Sequence, residues 1–228
     1  MKKLILPFIL LTMFMSTACG NQAANEKELE GDKPQEADEE IANEGASESK
    51  TDDNKNNQTN DESKEIVQKN AEEVLKLLKA KDGEELSAYV HPEKGVLFSP
   101  YVYIESDAVT FDKEKIKGFF EDTKTYTWGA QDGSGEPIEL TPSEYEKKYI
   151  YNGDFEQADE ITVDRVESRG NTIRNISKVF PNSHTVEYYI KGTEENDNMD
   201  WKALNLVFEQ DAQGEWKLVA IVHDQWTI

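Results

Sequence analysis

Cysteine is almost absent from this chain: one occurs in 228 residues, at position 19. A single thiol excludes an internal disulfide framework and any multi-cysteine metal site. Basic side chains are scarce too, 25 Lys and Arg against 47 Asp and Glu, for a formal charge of −22. Phosphate binding needs clustered Lys and Arg, so no nucleic-acid partner is expected. No apolar run reaches the roughly 20 residues that span a bilayer. Aromatic residues are missing between Phe14 and Tyr89, and 20 of the 22 lie from Tyr89 to Trp226. That gap separates a chain able to build a core from one that is not.

What stands before the gap is a short basic start, Met1-Lys2-Lys3, then the apolar run Leu4 to Met15, then the small residues Ser16-Thr17-Ala18 and Cys19. This is the anatomy of a secretory signal peptide over residues 1–18. With the sole cysteine directly after the small residues, the segment resembles the lipobox of bacterial lipoproteins, although Ser16 stands where that pattern has Leu. The resemblance implies a diacylglyceryl group on Cys19, which becomes the mature N-terminus. Two acyl chains anchor stably where one is marginal. The expected location is the outer, extracytoplasmic face of the cell membrane, anchored by lipid without spanning.

Residues 19–64 have Leu29 and Ile41 as their only large apolar side chains. Such a stretch buries too little surface to offset its conformational entropy, so a disordered acidic tether is expected. As a flexible chain it reaches at least about 35–40 Å. Residues 20–65 carry −10 of the charge and residues 66–228 carry −14.

Residues 65–228 read as one α+β domain. Val67, Ala71, Val74 and Leu78 recur at helical spacing in a helix over Glu65–Ala80, with Asp82-Gly83 as its stop. A short helix over Glu84–Tyr89, a strand over Val96–Ile104 placed at an edge or bulge by Pro100, and a helix over Asp112–Phe120 follow. Thr141-Pro142-Ser143-Glu144 is a capping box with proline at the first helical position. Four strands are then expected, at Thr172–Phe180, His184–Lys191, Trp201–Glu209 and Glu215–His223. The last two are joined by the hairpin loop Asp211-Ala212-Gln213-Gly214. In the final strand Trp216, Leu218, Ala220 and Val222 alternate with Lys217, Val219, Ile221 and His223. Both sets are largely apolar, so the strand should be covered on both faces.

Helices first and antiparallel strands last resemble the NTF2-like (cystatin-like α+β) cone, with N-terminal helices on a curved antiparallel sheet. The segments His91-Pro92-Glu93-Lys94-Gly95-Val96, Asp132-Gly133-Ser134-Gly135-Glu136-Pro137 and His223-Asp224-Gln225-Trp226-Thr227-Ile228 are similar to those of a group of uncharacterised, Gram-positive-type bacterial lipoproteins. That likeness implies no activity.

Chemistry-bearing residues are few. His91, His184 and His223 have no close metal-ligand spacing. His223 beside Asp224 would suit a general base, with Glu187 or Tyr188 assisting, but neighbours on a strand point to opposite faces. His91 reads as a turn residue packed on Tyr89 or Phe98. Asp132, Ser134 and Glu136 could hold calcium or cradle an anion, yet the loop fits a plain turn better. Glu194-Glu195-Asn196-Asp197-Asn198 with Asp200 reads as a solvated hairpin tip. The tryptophans and tyrosines of the strands read as core before ligand contacts. No nucleophile elbow or other enzyme motif occurs, and no cofactor is implied. The sequence therefore points to a lipid-anchored protein displaying a module for an unidentified protein or small molecule. The rival readings are an enzyme with His223 as base and a solute or cation receptor.

Overall fold

The computed structural model describes residues 52–227, with side chains from residue 60. The expected leader 1–18, Cys19 and tether residues up to 51 lie outside the described residues. A long helix α1 (Asp52–Ala80) opens the described chain. It starts before Glu65, inside the stretch expected to be unfolded. Once the turns from Val67 to Leu78 are held by the core, each further residue adds a hydrogen bond without a new nucleation cost. Lys64 also lies 3.5 Å from Asp164, which ties this part of the helix to the body. The buried stripe is the expected one: Val67, Ala71, Val74, Leu75 and Leu78.

The helix ends at Ala80, where expected. Lys81 takes a left-handed φ of 58°, and the Lys81 and Asp82 amides donate to Leu78 and Leu77 carbonyls. This reciprocal pair satisfies the orphan carbonyls of the last turn. Asp82 then caps α2 (Gly83–Ser87) by accepting from the Glu85 amide. Gly83 has a different task. A Cβ there would meet the Ile116 carbonyl oxygen at 2.5 Å, so its small size lets α2 approach α3 (Lys113–Lys117).

Six strands form one sheet in the order β2-β1-β8-β7-β6-β5. They are β1 (Val96–Ser99), β2 (Thr110–Phe111), β5 (Glu160–Val163), β6 (His184–Ile190), β7 (Lys202–Gln210) and β8 (Trp216–Gln225). All pairs are antiparallel except β1 with β8. Strands β3 (Tyr126–Ala130) and β4 (Pro137–Leu140) make a separate hairpin. A long helix laid across a closing antiparallel meander is the α+β arrangement that the NTF2-like resemblance implies.

Two expected strands differ from the structure, and one strand was not expected. The strand at 96–104 ends at Ser99, because Pro100 offers no donor to the ladder; β1 is nonetheless internal, between β2 and β8. Thr172–Phe180 is a loop followed by α5 (Ile176–Val179). The Asn175 side chain bonds both the amide and the carbonyl of Ile104 there, and so replaces a strand neighbour. The fourth strand of the meander is β5, a half-exposed edge whose four residues are too short a run to show a period.

Alternation in β8 also breaks. Leu206 opposes Ile221 and Val207 opposes Ala220, but Phe208 opposes Leu218, leaving Val219 as an inserted residue. Such a bulge flips the parity beyond it. Leu218 therefore joins Ile221 in the core under α1, while Val219, Ala220 and Val222 pack on the other face with Val102, Ile104 and Ile176.

The larger core continues into an aromatic cluster beneath the β3–β4 hairpin. Trp128 stacks on Tyr145 at 3.9 Å, and both lie against Phe98, whose ring stacks on Phe119. The Trp128 indole donates to the Leu140 carbonyl at 2.9 Å, so its one polar atom is satisfied. Tyr145 belongs to α4 (Pro142–Tyr145), opened by the expected capping box of Thr141 and Glu144. A wide π-type turn, Glu146–Ile150, carries Tyr149 inward after it.

Two stability measurements follow. Trp128→Ala empties the centre of this cluster and should cost about 3–5 kcal/mol. Thr141→Ala removes the cap and should cost about 1 kcal/mol. Urea denaturation of both variants reads the difference.

Candidate functional site

The sheet divides the residues considered for catalysis. Cross-strand partners share a face, so Tyr188, Leu204 and His223 lie together, and Glu187, Asn205 and Val222 lie together. Leu204 is in the core under α1 and Val222 is in the opposite cluster. His223 and Tyr188 thus face the helix, and Glu187 and Asp224 face away. No acid–base set assembles from these four residues.

His223 is fully buried, with its ring 5.8 Å from that of Tyr149 and Nε2 3.2 Å from the Gln225 side-chain oxygen. Burial pulls its pKa down to about 4, against the hydrogen bond to Gln225, which favours the charged form. At neutral pH the imidazole is uncharged. Tyr149 belongs to the same core cluster as Trp128 and Tyr145, so the His223 ring meets packed side chains.

The opposite face holds a buried charge network that no local pattern in the chain announces. Glu187 is wholly buried and accepts from Arg169 Nε at 2.7 Å and from Arg174 Nη1 at 3.2 Å. Arg174 also donates to Asn205 at 2.8 Å, and Asn205 donates to the Val222 carbonyl. Arg169 lies 3.7 Å over the Tyr189 ring and reaches Glu160 on the edge strand. Burial pushes the Asp224 carboxyl up to about 7, against the pull of nearby Arg174. The arginines come from the loop between β5 and β6, whose fold depends on contacts far along the chain. The arrangement neutralises a buried carboxylate and fastens that loop to the sheet.

The remaining residues singled out are engaged locally. His91 is buried, and its Nδ1 accepts from the Glu93 and Lys94 amides. His184 sits 2.9 Å from Asp164 and beside Trp216. Asp200 accepts from the Thr193 amide and hydroxyl and from Asn196, which holds its carboxyl down at about 2. The tip with Glu194, Glu195, Asp197 and Asn198 is thereby a self-capped hairpin turn. Asp132, Ser134 and Glu136 form the β3–β4 loop, where Gly133 and Gly135 supply positive φ and the Glu136 amide donates to Ser134 Oγ. Among the described residues, no three His, Cys, Asp or Glu side chains converge as metal ligands.

One groove of about 780 Å³ lies between the segment 99–108 and the β3–β4 hairpin. Tyr101, Tyr103, Glu105, Asp107 and Asp132 contribute to its walls, and Trp128 to its floor. The Tyr101 hydroxyl accepts from the Asp132 amide at 3.2 Å, which joins the two walls. A more open hollow of about 790 Å³ runs between α1 and the β7–β8 loop, beside Ile66, Tyr89 and Trp216. Aromatic strand residues alone did not distinguish the groove from core, because Trp128 serves both.

No protein-family model and no curated protein matches the chain. Among solved structures it is similar to a calcium/calmodulin dependent protein kinase II association domain from Xanthomonas campestris. The two share 11% identity at a TM-score of 0.32, over 71% of this chain and 85% of that one.

His223 and Asp224 make opposite contributions to stability. From about pH 4 to pH 6.5 the unfolded chain protonates His223 and the folded chain does not, so this term rises with pH. Over the same range and up to about pH 7 the folded chain keeps a proton on Asp224 that the unfolded chain has lost, so this term falls. Each slope is about 1.4 kcal/mol per pH unit, and they cancel. Asp224→Asn should give a stability that climbs between pH 4 and 6.5, and His223→Gln one that declines. Urea titrations at stepped pH test both, and parallel profiles for the two variants would refute the assignment.

Proposed function

We propose that the chain is a lipid-anchored extracytoplasmic lipoprotein whose folded domain is a non-enzymatic binding module, with the groove beside Tyr101 and Tyr103 as its recognition surface. The observation that carries the binding reading is the pairing of a large open groove with the separation of His223 from Asp224 and Glu187 across the sheet. Clefts of about 300–1,000 Å³ with a few convergent polar groups are the usual size of ligand sites. The enzyme reading has no comparable support, since its base faces packed rings. A cation receptor has little more, because Asp200 already uses its oxygens on its own turn.

Anchoring rests on the leader: a basic start, an apolar run and the sole cysteine after Ser16-Thr17-Ala18. Among the described residues no helix is long and apolar enough to cross a membrane. A lipid on Cys19 followed by an acidic segment would hold the groove away from the bilayer and expose it to partners. Cys19→Ala should move the protein from the membrane fraction to the soluble fraction and abolish labelling by a radiolabelled fatty acid. Retention at the wild-type level would overturn the anchor.

A further inference from the structure

The groove's chemistry narrows what it takes. No Lys, Arg or His lines it, whereas Glu105, Asp107 and Asp132 do. Glu105 and Asp107 are exposed, and among the described residues neither is in an ion pair. The buried glutamates of the domain are matched, Glu146 with Lys81, Glu209 with Lys94, and Glu187 with Arg169 and Arg174, whereas Glu105 and Asp107 stand at the mouth of a groove. Several donors at the groove are engaged. The Trp128 indole bonds the Leu140 carbonyl, the Ser99 hydroxyl bonds the Tyr101 carbonyl, and the Thr172 and Thr227 hydroxyls bond each other. The groove thus offers the negative charge of Glu105 and Asp107 beside one open aromatic ring, Tyr103, at 44% exposure.

We propose that this groove binds a basic polypeptide segment, with a Lys or Arg side chain laid over Tyr103 and its charge between Glu105 and Asp107. The inference rests on the reading of the domain as a binding module and names the class of its partner. An ammonium or guanidinium is drawn to the face of an aromatic ring and to unpaired carboxylates together. The long alkyl stem of such a side chain suits the apolar part of the wall, Pro100, Ala108 and Pro137. A small organic cation would need an enclosing cage of rings, and here one ring is open. A divalent ion would need converging carboxylates, and no such group is present among the described residues.

The test uses the full chain in detergent micelles and a fluorescent Lys-Gly repeat peptide of about ten residues, read by anisotropy at about 0.15 M salt. The double variant Glu105→Gln, Asp107→Asn should weaken binding about tenfold or more. Glu194→Gln with Glu195→Gln removes the same charge from the β6–β7 tip and should leave affinity within about twofold. Tyr103→Ala should weaken binding and Tyr103→Phe should retain it, because the ring face makes the contact. Equal losses in the two double variants would mean diffuse attraction to an acidic surface and would overturn the proposal. So would absence of peptide binding, tetramethylammonium competing as well as the peptide, or calcium displacing it at equimolar concentration. These outcomes leave the anchoring result at Cys19 untouched, and binding of a neutral ligand in the groove would keep the module reading while refuting this one.

Discussion

The inserted Val219 in β8 is the constraint on which the rest of the structure depends. Strand parity is strict, and one extra residue moves every later side chain to the opposite face of what simple alternation gives. Because Leu218 and Ile221 both face α1, the strand supplies two apolar anchors to the larger core and still presents Val219, Ala220 and Val222 to the smaller one. The same shift carries His223 into the helix side and Asp224 to the far side. A central strand covered on both faces is what β8 becomes, by a route other than unbroken alternation.

The far face shows how a sheet with too little apolar surface is still closed. Its apolar cluster stops at Val222, and the remaining area is covered by Glu187, Asn205 and Asp224 with arginines from the β5–β6 loop. A buried carboxylate is tolerated when its oxygens are matched, and two guanidinium contacts do that for Glu187. Asp224 has no such match for one oxygen, and burial accordingly favours its neutral form. Its neighbour His223 is neutral by the same cause acting on the opposite charge.

The groove arises at the margin of this construction. Pro100 ends β1, the chain continues with Val102 and Ile104 packed on the smaller core and Tyr103 exposed, and the β3–β4 hairpin lies over the aromatic cluster. Between them the chain leaves an acid-lined space whose floor is the same Trp128 that plugs the interior. Closing the core under the hairpin and opening a surface beside it are thus one packing event. Fold and groove therefore share a weak point, since loss of Trp128 removes both the core centre and the floor.

Local rules were enough for the features set within a few residues. The buried stripe of α1, the Thr141 capping box, the Asp211–Gly214 loop and the strands from His184 onward were legible because each depends on near neighbours. Edge strand β5, the β3–β4 hairpin and the helix at Ile176–Val179 were not, because each is fixed by partners far along the chain, such as Asn175 on Ile104. Among candidate residues, the sequence placed His223 and Asp224 on opposite faces of a strand, which follows from pleating alone. It had no access to the arginines around Glu187 or to the unpaired acids beside Tyr103. By itself the sequence determined the acidic composition, the gathering of aromatic residues after Tyr89, and the α+β class. Only the tertiary structure decided which faces the titratable groups occupy, because a single inserted residue sets that parity and pairing across the sheet selects where it is inserted.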